Sequence, residues 1–480
     1  MRISTRTTGA AELKAVAASL RDADVVTPLV GVLLTFAFVY EASRHGGTLS
    51  LGFILAVGVF AAFVYAFLVV PHVAVAVAIP VFAFLPATKV LVAPWLGPTK
   101  DVIALAAIVA GVPLLAFRHR LGATRPIDLP LVAAAALLIA IYVINVGGGH
   151  NLAWAQGVRL ACEPLLLLLA GLGLEHPRRT LRWGLTSLIL TAAGVAFTGL
   201  LQQALGPARL VGYGYSYDLQ VRTISGHFRS FGTLDDPFAY AAFVLLGVAA
   251  LILTRKRDAF ALAIGGLLLL GIAVSYVRTA ALIAVALLAL YLARQRRIAT
   301  SVALLLAVVA TAVVVVVHAQ GTEARTYRTP SATLTLNGRT SAWKAALGTP
   351  AQWFLGQGVG AVGTAASRAR YSISETVAQA KENRTRAVDS GYFATVADVG
   401  VVGLLVLLAL LGRAGTLAAR SARRGDQAGW VALGLLTVML IDALTRASFT
   451  GFPSAFLGML LLGVALAAGA ERPPAAAASS

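Results

Sequence analysis

The sequence predicts an all-α polytopic integral membrane protein with about 12–14 membrane-spanning helices and one large extracytoplasmic loop. Three observations carry that reading. Apolar residues make up 59% of the 480-residue chain and charged residues only 12%, a balance far from that of an ordinary soluble domain. The apolar residues gather in runs rich in Leu, Ala and Val. The connections between those runs alternate between cation-rich and cation-poor, interrupted once by a polar stretch from Ala319 to Ser390. A bare backbone polar group costs several kcal/mol in hydrocarbon, so spanning pieces must be helices or a closed barrel. Barrel-type alternation of side chains is absent.

A helix needs roughly 20 apolar residues to cross a bilayer. Candidate spans run near 26 to 41, 51 to 70, 72 to 93, 101 to 117, 129 to 146, 157 to 174, 182 to 204, 236 to 254, 259 to 275, 279 to 293, 299 to 318, 391 to 412, 428 to 444 and 450 to 469. Residues 1 to 25 are polar, with scattered Arg2, Arg6, Lys14 and Arg21 and without a compact cleavable signal, and read as a cytoplasmic tail. With that end inside, the cytoplasmic loops contain Arg118, Arg120 and Arg125; Arg178, Arg179 and Arg182; Arg255, Lys256 and Arg257; Arg294, Arg296 and Arg297; and Arg413, Arg420, Arg423 and Arg424. Every cluster falls on the positive-inside face. The two weakest boundaries are the cation-free turn at Pro71 and His72 and the short link from Ser275 to Thr279; merging both changes the count by an even number and keeps the later orientation. This division gives membrane helices over 26–318 with an outer loop near 205–235, a large extracytoplasmic loop over 319–390, membrane helices over 391–470 and a cytoplasmic tail over 471–480.

The formal charge of +19 follows mostly from this topology, because the Arg clusters sit in short loops between apolar runs; no nucleic-acid partner is needed. The large loop carries an excess of its own: Arg325, Arg328, Arg339, Lys344, Arg368, Arg370, Lys381, Arg384 and Arg386 against Glu323, Glu375, Glu382 and Asp389. Attraction to anionic headgroups explains such an excess, and so does an anionic ligand such as a pyrophosphate. Within this loop a helix is expected from Ser341 to Leu347, closed by Gly348 to Pro350, with Trp343, Leu347, Trp353 and Phe354 turned to a membrane or protein surface, and a second helical piece around Ser372 to Lys381.

The glycines at Gly356, Gly358 and Gly360 read as a tight turn rather than a dinucleotide fingerprint, since no βαβ unit surrounds them. There is no Walker A sequence, so no ATP-driven pump is indicated. His45, His72, His119, His150, His176, His227 and His318 lack metal-ligand spacing, and the single cysteine, Cys162, lies in an apolar run; neither a metal nor another cofactor is expected. Asp235 and Asp236 ahead of Pro237 read as a helix cap. Ionisable residues near the outer membrane face are more informative: Arg222, Arg229, Arg278, Arg339, Asp389 and Asp398. Charge at membrane depth costs about 2.5–3.5 kcal/mol, so such residues pair or serve a site. Arg278 lies between two apolar runs where positive-inside logic has no use for it. Arg159 and Glu163, one helical turn apart, read as an intramembrane salt bridge. Asp389, just before the apolar run that begins near Tyr392, is placed either to cap a helix or to accept a proton from a hydroxyl at the membrane surface.

Taken together these segments resemble the O-antigen ligase and polymerase-like family of bacterial membrane glycosyltransferases. The resemblance runs from Gly226 to Phe238, with Arg229, Gly232 and Pro237; through Ser275 to Leu282, similar to the family's arginine-x3-leucine motif; through Asn337, Gly338 and Arg339 with Trp343; through the glycine turn; and through Asp389 and Ser390 to Gly403. Ser390, Gly400 and Gly403 fit the family spacing, but Asp389 stands where the ligases carry His, which looks more like the polysaccharide polymerase branch.

The resemblance implies a bundle like that of GT-C-type glycosyltransferases in the bacterial cytoplasmic membrane. It implies transfer of a glycan from a polyprenyl-diphosphate carrier to an acceptor sugar hydroxyl, with a chain-length regulator or flippase as a partner. Asp389, Arg278 and Arg339 would be catalytic, and Arg222, Arg229, Trp343, Ser390 and Tyr392 would bind substrate. Arginines stabilise a departing diphosphate without a metal. Two other classes share the span count: a lipid-linked oligosaccharide flippase or secondary carrier, for which internal repeats are missing, and a scaffold, which leaves Arg278 and the basic loop without a use.

Overall fold

The computed structural model describes residues 47–92, 96–117, 127–146, 151–217, 220–224, 227–254, 258–297, 299–300, 302–303, 349–361 and 390–471. The expected span near 26 to 41, nearly all of that near 299 to 318, the expected helices at 341–347 and 372–381, and Arg339, Trp343 and Asp389 lie outside the described residues. The elements in order are α1 (Gly47–Val69), α2 (Pro71–Leu91), α3 (Thr99–Phe117), α4 (Leu129–Ile144), α5 (Asn151–Gly173), α6 (Pro177–Leu205), the short α7 (Pro207–Gly212), strands β1 (Arg222–Ile224) and β2 (His227–Arg229), α8 (Pro237–Thr254), α9 (Ala259–Ala273), α10 (Arg278–Arg294), the short α11 (Pro350–Leu355), α12 (Gly391–Arg423), α13 (Gln427–Asp442) and α14 (Ser454–Ala470).

Six of these, α2, α3, α5, α6, α8 and α12, are long and apolar enough to cross a membrane; α4, α9, α13, α14 and the stretch Ala56–Val69 of α1 are apolar over shorter lengths. The chain is an all-α polytopic membrane protein. Both weak boundaries are true breaks. Pro71 opens α2 directly after α1, a position where its missing N–H costs no hydrogen bond. The link from Val274 to Val277 turns through Tyr276 at φ 51°.

The core is built around α14, buried continuously from Ser454 to Gly469, and α8, buried over most of its length. In lipid, apolar side chains gain little by leaving the solvent, so helices associate through close contact and small residues. The contact between α5 and α14 follows that rule. A Cβ on Gly171 would lie 2.3 Å from the Leu460 carbonyl oxygen, and one on Gly463 would lie 2.2 Å from that of Leu168. α5 also packs on α3, α6 on α2 and α8, and α12 on α4 and α13.

Polar ties gather at the two ends of the bundle. At one end Lys89 pairs with Asp235 (3.2 Å), Arg159 with Asp101 (3.1 Å), and Thr279 with Thr445 (2.7 Å). At the other, Arg413 grips Asp128 through Nε–Oδ1 (3.0 Å) and Nη2–Oδ2 (2.6 Å), Arg178 meets Asp426 (2.7 Å), and Arg294 donates to the Leu253 carbonyl. Arg159 thus finds a carboxylate on another helix, α3, as well as lying one turn from Glu163.

Two details add to or depart from the expected elements. The segment 205–235 contains α7 and an antiparallel ribbon in which Arg222 faces Arg229, sitting on a small apolar cluster of Leu210, Tyr215, Val221, Phe228 and Phe231. Strands of three residues leave no periodicity to read. Pro350, expected to close a helix, opens α11, with the Thr349 N–H donating to Gln352 Oε1 at 2.9 Å; Trp353 and Phe354 are exposed as expected.

Gly463→Leu is expected to drive α5 and α14 apart and destabilise the protein by at least about 3 kcal/mol, read as a lowered melting temperature in detergent. Asp128 gives a second outcome. The Arg413 hydrogen bond holds its carboxyl below the ordinary range; burial opposes that, and the Leu131 N–H and the charges of Arg413 and Arg420 add to it. A lowered folded-state value stabilises the fold above the ordinary carboxylate range, roughly pH 4, and that stabilisation is lost as pH falls through the folded value. Asp128→Asn should therefore flatten the acid limb of stability against pH.

Candidate active site

The site is assembled around the last turn of α6. Gln202 Oε1 accepts from the N–H groups of Phe231 (3.0 Å) and Gly232 (2.8 Å), while its Nε2 donates to the Gly232 carbonyl (2.6 Å). Gln203 Nε2 donates to the Phe228 carbonyl (3.0 Å) and to Ser230 Oγ (2.8 Å). The Ser230 N–H in turn donates to the Val274 carbonyl (3.0 Å). The ribbon is thereby held to α6 on one side and to the α9–α10 turn on the other.

That scaffold places arginines. Arg229 is buried, its Nε donating to the Ser275 carbonyl (3.2 Å) and its guanidinium lying 4.6 Å over the Phe238 ring, so its plane is fixed from two directions. Arg222 stands opposite it in the ribbon. Like charges directly opposite across strands repel, an arrangement that favours an anion between or above them. Three residues beyond Ser275, Arg278 is exposed at the first position of α10. A cation there opposes the helix dipole, whereas an anion would gain from both the guanidinium and the helix start. Tyr276, in the left-handed region, stacks on His227 with ring centroids 5.5 Å apart.

Two of the expected substrate-binding residues, Ser390 and Tyr392, hydrogen-bond to backbone carbonyls. Ser390 Oγ donates to the Ala443 carbonyl (3.1 Å), and Tyr392 OH donates to the Leu440 carbonyl (2.9 Å). Both hydroxyls are engaged by α13, and what they fix is the start of α12. Asp236 caps α8 as expected, Oδ1 accepting from Phe238 and Ala239 N–H groups (both 2.8 Å). Burial, with the Asp235 carboxylate nearby, pushes the Tyr215 phenol above its ordinary range.

The glycine turn is structural, as expected. Gly356, Gly358 and Gly360 all have positive φ, and the turn packs where α12 is interrupted at Gly400 (φ 72°, ψ −177°). A Cβ on Gly400 would lie 2.1 Å from the Phe354 carbonyl oxygen. Carbonyls freed by the break are satisfied: Ala397 by the Gln357 N–H (2.7 Å) and Asp398 by Asn145 Nδ2 (2.8 Å).

Further charged residues join the same end. Arg446 contacts Ser454 Oγ (3.3 Å) and lies 3.7 Å from Asp442, and Lys100 stands over the rings of Phe452 and Phe456 (5.1 and 5.4 Å) while pairing with Asp101 (2.9 Å). Arg446 carried a readable signal, a cation at an end where positive-inside logic has no use for one.

Replacing Gln202 with Leu removes the acceptor from two buried N–H groups and is expected to lower stability by at least about 2 kcal/mol, read by thermal unfolding.

A search of curated proteins finds no match. Residues 241–408 match a family model described as O-Antigen ligase; this stretch contains Arg278, the glycine turn and the start of α12, while Arg222 and Arg229 precede it. Over that segment the chain is similar to the O-antigen ligase family.

Proposed function

We propose that the protein is a polysaccharide polymerase-type glycosyltransferase, moving a glycan from a polyprenyl-diphosphate carrier to an acceptor sugar hydroxyl at the outer face of the cytoplasmic membrane. The observation that supports this most is the fastening of the Arg222–Arg229 ribbon to the α9–α10 turn, which gathers Arg222, Arg229 and Arg278 at one end of the bundle. Thr279, next to Arg278, touches Thr445, and the Ala443 carbonyl just before it holds Ser390 and Gly391. In the sequence Asp389 directly precedes Ser390.

In this reading the acceptor hydroxyl oxygen attacks the anomeric carbon of the donor glycan, and the bond from that carbon to the diphosphate oxygen breaks. The electron pair leaves with the polyprenyl diphosphate, whose growing charge is met by Arg278, with Arg339 from the large loop and Arg222 and Arg229 behind. Asp389 orients the hydroxyl and takes its proton. Ser390 and Tyr392 serve by fixing the start of α12 rather than by touching sugar. Trp343 remains a candidate platform for a sugar ring. An acid at 389, where ligases carry His, favours the polymerase over the ligase.

Purified protein given polyprenyl-diphosphate oligosaccharide should yield longer lipid-linked chains. Glycan on a different acceptor would identify a ligase, and unchanged lipid moved across a bilayer a flippase; either outcome overturns the polymerase reading. Arg278→Ala and Asp389→Asn should each lower turnover by at least about 100-fold without changing the amount of protein in the membrane, and full activity in both would reject the site.

A further inference from the structure

At the end of the bundle opposite the arginine site, a cleft of about 270 Å3 opens between the ends of α3, α5 and α14, the start of α4 and the inner half of α12. Its walls include Leu115, Leu131, Leu172 and Leu466, and its mouth carries Arg420 and Arg424. The charges at that mouth are not balanced. Asp128, the carboxylate lining the cleft, has both oxygens bonded by Arg413 and senses Arg420 as a nearby charge. Arg424 gives one N–H to the Gly469 carbonyl (2.9 Å) at the end of α14, a neutral acceptor. Arg420 lies in the last turn of α12 and Arg424 caps its end; both line the cleft, so their like charges repel.

We propose that this cleft binds an anionic glycerophospholipid, its phosphate held by Arg420 and Arg424 and an acyl chain lying against the leucines between α3, α4, α5 and α14. Two planar guanidinium forks present matched donors to phosphate oxygens, and basic pockets between membrane helices take anionic headgroups. A soluble phosphate fits the arginines but leaves the aliphatic walls unmatched, which is why a lipid is the favoured occupant. The polyprenyl carrier is assigned to the opposite end, so the site is separate from the proposed chemistry and does not depend on it.

Native mass spectrometry and thermal unfolding of the full chain, in nanodiscs of phosphatidylcholine with or without phosphatidylglycerol, test this. Phosphatidylglycerol should stay bound to the wild type and raise its unfolding temperature. Arg420→Gln with Arg424→Gln should weaken that binding by at least about tenfold. Because Arg424 also tethers the end of α14, the single Arg420→Gln variant is included and should show a partial loss. Equal retention of phosphatidylglycerol by wild type and variants would overturn the proposal, as would an equal shift from glycerol phosphate alone, which would mark a simple anion site.

Discussion

The structure depends on the approach of two helix backbones at Gly171 and Gly463. With no side chain between them, α14 enters the middle of the bundle and is covered by α5, α6 and α13. Once a helix is enclosed in this way it can carry no charge along its buried length, and α14 carries none. Charged groups are therefore displaced to the two ends, where they pair across helices. The ion pairs at Asp101 and Asp235 and those around Asp128 and Asp426 at the opposite end follow from that central exclusion.

The break in α12 follows the same constraint. An interrupted helix in an apolar surround must have its freed carbonyls satisfied by protein, and the glycine turn with Asn145 does this. The turn is thus a plug that completes α12, and it is also tied to Asn145 at the end of α4. Function and packing share one segment here: the spacing from Ser390 to Gly400 and Gly403 marks the family motif and also marks where the helix starts, breaks and resumes.

Much of this was legible beforehand. The helix limits, the breaks at Pro71 and after Ser275, the cap at Asp236 and the turn at Gly356 to Gly360 each depend on local chemistry that a short stretch of sequence contains. Partners across helices are a different matter. Arg159 has Glu163 one turn away, and it also pairs with Asp101 on α3, a partner that nothing in spacing alone reveals. The hydroxyls of Ser390 and Tyr392 bond to carbonyls in and just after α13, which lies far along the chain and which spacing near Asp389 does not reveal. The ribbon was hidden by its brevity, and the place of Arg446 by its position past the family segment.

The fastening of the ribbon by Gln202 and Gln203 has a consequence for how the protein is divided. The segment that carries the family signature begins at residue 241, but Arg229 and the glutamines that seat it come before, on elements packed against α2 and α9. The matched segment is accordingly no detachable unit: Arg229, which precedes it, is seated against the turn that opens α10, which lies within it, so the two stretches share one polar scaffold.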